Sequence, residues 1–216
     1  MNRDWPGLAI IQLENGSFAR DSTGRLLVFR QLARSGSNLP YFITNGSTPQ
    51  GIYSIQGTAV SHNNLIGPTP NIQLVMPGEA DSVYWHDQYD ATQTDFDNYL
   101  ALLPASWREY SPMREAYAAG HIGRTEIIAH GTTIDPEYFR DKPYYPLTPT
   151  MGCLCARENW NIFTGGILQS EQLQLVNSFV STPGTDGYLY VINLDNQARA
   201  VDRQELEALV QKYEAR

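Results

Sequence analysis

A chain of 216 residues, 42% hydrophobic and 18% charged, can bury one generous core and is too poor in charge to be disordered. Its formal net charge of −8 argues against a nucleic-acid backbone or an anionic membrane surface as partner, since both recruit clustered Lys and Arg. No apolar run approaches the roughly 20 residues that span a bilayer. The start, "MNRDWPGLAIIQLENG", lacks the basic and long apolar regions of a signal peptide. That leaves a cytoplasmic protein or an exported one whose leader has been removed.

In chain order, the first 90 residues read as β-rich. "RLLVFRQLA" (25–33), "LPYFITNG" (39–46), "GIYSIQGTAV" (51–60) and "NIQLVMPG" (71–78) carry Val, Ile, Phe and Tyr between Gly, Pro, Asn and Ser. A helical insert follows over about 91–120. There Phe96, Tyr99, Leu100 and Leu103 fall at helical spacing, and Pro104 and Pro112 keep the helices short. "RTEIIAHG" (124–131) is another strand. The stretch 132–169 has many aromatics but little periodicity and reads mainly as an ordered functional loop, the kind that binds something. Ser170 opens a helix with Leu173, Val176, Phe179 and Val180 on one face, stopped by Pro183-Gly184. "GYLYVINL" (187–194) is a strand. Asp202 and Glu205 read as a capping box for an amphipathic terminal helix. The expected fold is a β-dominated α+β domain spanning 1–216.

Both cysteines, Cys153 and Cys155, lie in "YYPLTPTMGCLCARENW". A disulfide between residues i and i+2 is geometrically poor. A zinc clip needs two further ligands, and no two of His62, His86, His121 and His130 have zinc-site spacing. Two buried cysteines are the commonest fate of such residues. One reactive thiol is the remaining reading, and its setting favours it. Gly152 permits a tight turn, and the N–H groups of Gly152 and Cys153 can serve an oxyanion. His130, at a strand end before Gly131 and Thr132, is the candidate base.

These residues carry a resemblance. "TPQGIYSI" (48–55), "IIAHGTT" (127–133) and "TMGC" (150–153), in that order, resemble the three marks of the L,D-transpeptidase (YkuD) catalytic domain, over roughly residues 8–195. The resemblance implies a β-sandwich-like domain, here with the helical insert and a C-terminal helix added. It also implies ping-pong acyl transfer on peptidoglycan stem peptides, with no cofactor and no metal, in the periplasm or cell envelope. By its motifs Cys153 is the nucleophile and His130 the base. The Gly131 carbonyl orients the imidazole, Gly152 and Cys153 donate to the oxyanion, and Thr150 shapes the turn.

The sequence departs from the family where a carboxylate-binding Arg is expected two residues after the nucleophile. Cys155 stands there, and Arg157 or Arg140 are the nearest stand-ins. The span of 23 residues from His130 to Cys153 is long, so a lid-like aromatic loop over about 134–149 is expected to cover part of the cleft. Tyr144, Tyr145 and Trp160 flank the nucleophile loop as candidate stacking residues, and His121 is a further candidate for the cleft. The rival readings are an L,D-carboxypeptidase or amidase using water, a non-catalytic wall-binding module, and a zinc or redox protein.

Overall fold

The computed structural model describes residues 3–63, 66–133, 150–161, 163–184 and 186–215. The fold is mixed α+β, built on a six-stranded sheet. The chain begins with a small antiparallel pair, β1 (Gly7–Ala9) and β2 (Phe29–Gln31). The large sheet is formed by β3 (Gly51–Ala59), β4 (Asn71–Val75), β5 (Ile128–Thr132), β6 (Leu154–Trp160), β7 (Ile167–Ser170) and β8 (Asp186–Val191), in the spatial order β7-β6-β5-β4-β3-β8. Every pairing in it is antiparallel except β5 with β6. That parallel pair sits in the interior of the sheet, where both neighbours shelter it.

Alternation along the strands divides the sheet into two faces. Tyr53, Ile55, Ile72, Leu74, Ala129 and Leu154 face a core completed by Leu175, Val176 and Phe179 of α4 (Glu171–Val180). Ser170 starts that helix by accepting a hydrogen bond from the Leu173 N–H, the cap its position predicts. A second core lies under the insert, which comprises α1 (Asp81–Tyr84), α2 (Asp95–Ala101), two short 3₁₀ turns and α3 (Glu115–His121). Here Tyr84, Trp85, Tyr99, Leu103 and Met113 surround Ile52. The insert also satisfies the strand's backbone. Tyr84 donates to the Ile52 carbonyl and the Ile52 N–H donates to the Tyr99 hydroxyl, both at 3.1 Å. Buried backbone groups seldom go unpaired, and these hydroxyls take the place of a neighbouring strand.

Several expectations need correction. Residues 39–46 hold turns and a bend over 41–45 and no strand, and Leu39, Phe42 and Ile43 are exposed. The carbonyls of Tyr41 and Gly46, which a sheet would have paired, are bonded by the Arg124 side chain instead. The strand expected over 124–131 begins only at Ile128. Within 132–169, β6 and β7 are regular strands, not loop. "LCARENW" hides its strand because its Arg and Glu find partners inside the fold. At the terminal helix α5 (Arg203–Glu214), Asp202 caps the N–H groups of Gln204 and Glu205. The Glu205 carboxylate, however, pairs with Arg199 and does not close a box. The lid-like loop 134–149 lies outside the described residues, and with it Tyr144, Tyr145 and Arg140. Among the described residues, no helix is long and apolar enough to cross a membrane.

Candidate active site

The parallel β5–β6 pair fixes the geometry of the site. His130 is in register with Cys155, and Ala129 with Leu154. Leu154 and Ala129 belong to the α4-side core, so His130 and Cys155 share the opposite face. Cys153 immediately precedes β6, two residues before Cys155, and strand alternation continued back to it would place it on the face of His130. On ideal strand geometry, with a spacing of about 4.8 Å and a two-residue rise of about 6.6 Å, the two Cβ atoms would stand roughly 8 Å apart, a gap that an imidazole and a thiol can bridge.

His130 is 1% exposed, and its Nδ1 lies 2.7 Å from the Gly131 carbonyl oxygen. A carbonyl only accepts, so Nδ1 carries the proton and the lone pair is on Nε2. Burial pulls the histidine below its ordinary range, and the Gly131 bond pushes the other way. The ring is therefore neutral at neutral pH. Position 131 has no room for a side chain, because a Cβ there would come within 2.8–2.9 Å of the Glu158 carboxylate. Glu158 is fully buried and accepts from the Thr69 and Ser170 hydroxyls.

The loop that leads to Cys153 is gripped from two sides. Gly152 has φ +99°, a conformation suited to glycine, and a Cβ there would overlap the Arg124 guanidinium and the Gly46 carbonyl. Its own carbonyl accepts from the Thr48 hydroxyl at 2.7 Å, which ties the start of "TPQG" to the turn before Cys153. Arg124 donates to the Gly46 and Met151 carbonyls through Nη2, and to those of Tyr41 and Ser47 through Nη1. Thr150 is buried, and its carbonyl accepts from the Gly36 N–H at 3.3 Å.

The two thiols are free and differ in kind. Cys153 is 9% exposed, with Sγ 3.6 Å from the Glu126 carbonyl. Burial pushes its pKa up, against backbone hydrogen bonds from Ile128 and Met151 and the nearby Arg124 charge. The depressed thiol expected of a resting Cys–His ion pair is thus not what this setting produces. Cys155 is 1% exposed, its N–H and C=O are both bonded to Leu32, and burial pushes its thiol up to about 12. It is a packed core thiol.

His130 and Gly131 thus lie on β5, while Thr150, Gly152 and Cys153 form the segment that leads into its parallel partner β6. The remaining described candidates are engaged elsewhere. Arg157 is ion-paired with Glu171 at 3.3 Å. Trp160 closes the far end of β6, about 20 Å along the strand from Cys153, and packs on the Gly67 turn. The expectation that it flanks the nucleophile fails because residues 154–160 are extended. His121 ends α3, stacked on Tyr117 with centroids 4.0 Å apart, and its Nδ1 is 2.9 Å from the Tyr117 carbonyl. Sequence reasoning missed Arg124, whose partners are backbone carbonyls with no sequence signature. It also missed Thr48 as the tie to Gly152, although "TPQG" was singled out. No protein-family model matches the chain, and searches of curated proteins and of solved structures likewise returned no match.

Proposed function

We propose that this protein is a cysteine acyltransferase of the L,D-transpeptidase type, acting on peptidoglycan stem peptides in the periplasm or cell envelope. One observation carries the chemistry. A buried histidine on β5 is held by a backbone carbonyl in the tautomer that leaves Nε2 basic, and a cysteine behind a positive-φ glycine leads into β6, the strand paired with it. The order of the "TPQG", "HGT" and "TMGC" motifs supports the substrate class.

The reaction follows from these groups. The Cys153 side chain turns from the Glu126 carbonyl toward His130, and Nε2 takes the thiol proton as Sγ attacks the donor amide carbon. The new C–S bond places negative charge on the former carbonyl oxygen, facing the N–H groups of Gly152 and Cys153. Collapse breaks the C–N bond, and the imidazolium protonates the departing amine. An acceptor amine then attacks the thioester, giving its proton to His130 and releasing the thiol. A neutral resting pair suits this sequence, because the proton moves during attack and not before it.

Water in place of the amine makes the same centre a carboxypeptidase or amidase. The burial of Cys155, where a carboxylate-binding arginine is expected, favours keeping this second reading. Incubation with muropeptides, followed by mass analysis, tests both. Cross-linked dimers support transfer, trimmed stems support hydrolysis, and unchanged muropeptides contradict the proposal.

A further inference from the structure

Arg124 stands on the segment between α3 and β5 and is 7% exposed. Among the described residues its hydrogen-bond partners are four backbone carbonyls, those of Tyr41, Gly46, Ser47 and Met151. Among the described residues no carboxylate pairs with it. A buried cation satisfied only by neutral acceptors retains its full charge, an arrangement that costs stability unless an anion forms nearby. Two groups near it can become one, the Tyr53 phenol and the Cys153 thiol, and burial pushes the phenol well above its ordinary range, which leaves Cys153. Arg124 bonds the carbonyl two residues before it and lies against Gly152, one residue before it.

We propose that Arg124 is a positioning residue of the Cys153 site. Its guanidinium clamps the 41–47 turn to the nucleophile loop and provides the fixed positive charge that stabilises the Cys153 thiolate. The proposal rests on the acyl-transfer reading above. In that reaction sulfur bears negative charge as the proton leaves and again when the thioester is resolved. A fixed cation in a desolvated setting lowers the free energy of both moments.

The other titratable groups facing the thiol cannot supply this charge at rest. His130 on β5 is kept neutral by burial, and Cys155 on β6 is a neutral thiol. Glu126, on the approach to β5, opposes the thiolate. Glu79, which accepts from the Glu126 N–H at 2.9 Å, adds a second carboxylate behind it. The Arg124 charge pulls the Cys153 thiol in the opposite direction. The 41–47 turn contributes only neutral backbone to the contact.

The test measures the rate of iodoacetamide alkylation of Cys153 against pH, by peptide mapping of the full chain. Wild type is compared with Arg124→Gln, Arg124→Lys and Glu126→Gln, with thermal melting as the check on folding. In Arg124→Gln the midpoint moves up by about one pH unit and the neutral-pH rate falls about tenfold. Arg124→Lys keeps the charge and loses the fork, so it melts earlier but holds its midpoint. Glu126→Gln leaves the clamp intact and moves the midpoint down.

A folded Arg124→Gln protein with the wild-type midpoint overturns the proposal, as does a Lys midpoint displaced as far as the Gln one. If neither Arg124 variant folds, Glu126→Gln decides: a lowered midpoint supports control by fixed charges, and an unchanged one overturns it. The two readings fail separately. A midpoint that follows Arg124 in a protein inert to muropeptides sinks acyl transfer alone, whereas His130-dependent turnover with an indifferent midpoint sinks the Arg124 role alone.

Discussion

The Thr48 hydroxyl donates to the Gly152 carbonyl at 2.7 Å, so two motifs 104 residues apart in sequence form one unit in space. Thr48 is also held through its N–H, which donates to the Ala33 carbonyl at 2.9 Å. Thr48→Val keeps the shape and removes the donor, leaving a buried carbonyl unpaired. The expected cost is about 1–3 kcal/mol in urea unfolding. Acylation of Cys153 is expected to slow by about tenfold, the change that roughly 1.4 kcal/mol of lost loop positioning produces. A variant as stable and as fast as wild type would show that the bond holds nothing in place.

Steric crowding and backbone conformation can be separated at two glycines. Gly152 and Gly165 both have positive φ, +99° and +70°, but a Cβ at Gly165 meets nothing within 4 Å. Gly165→Ala is expected to cost about 1–2 kcal/mol, the strain of a left-handed residue. Gly152→Ala must also displace Arg124 and the Gly46 carbonyl, and is expected to cost at least about 3 kcal/mol. Equal losses in chemical denaturation would contradict the packing described at Gly152.

Stability should fall on both sides of neutrality, for opposite reasons. The folded state lowers the pKa of His130 from about 6.5, so in acid the unfolded chain binds the proton first. That contribution is present above about pH 6.5 and is lost as pH falls through the folded value. His130→Gln should therefore flatten the acid limb of a plot of urea midpoint against pH. Cys155 is raised from 9.0 to about 12, so its contribution is complete below pH 9 and is lost as pH rises toward about 12. Cys155→Ala should flatten the alkaline limb. Limbs unchanged by either substitution would remove these groups from the account.

Burial and pKa together order the two thiols. At pH 8, iodoacetamide should modify Cys153 first, because backbone bonds and Arg124 partly offset its burial. Cys155, pinned to Leu32 and pushed up to about 12, should react only as fast as the chain opens. Simultaneous labelling of both in the folded protein would contradict this ordering.

What the sequence disclosed follows the range of the forces involved. Ser170 and Asp202 act on N–H groups two or three residues away, so their caps were legible locally. The "GIYSIQGTA" strand announced itself by composition, since both of its faces are buried along most of its length. By contrast, β6 is decided by distant partners. His130 and Leu32 flank Cys155, Glu171 answers Arg157, and Thr69 and Ser170 answer Glu158. "LPYFITNG" misled because its apolar residues stay exposed while Arg124 holds its carbonyls. At the candidate site, the motifs singled out Cys153, His130 and Gly131, and the structure sets the His130 ring on the Gly131 carbonyl. The thiol's raised pKa was not, because burial depends on the whole sheet.

The central claim is that Cys153 is a nucleophile whose proton is taken by His130. It is tested most directly with a carbapenem, by intact mass followed by peptide mapping of wild type, His130→Ala and Cys153→Ser. The account predicts one covalent adduct, placed on Cys153 in wild type and lost in both variants while their melting stays cooperative. No adduct on folded wild type, or an adduct that persists in His130→Ala at the wild-type rate, would contradict it.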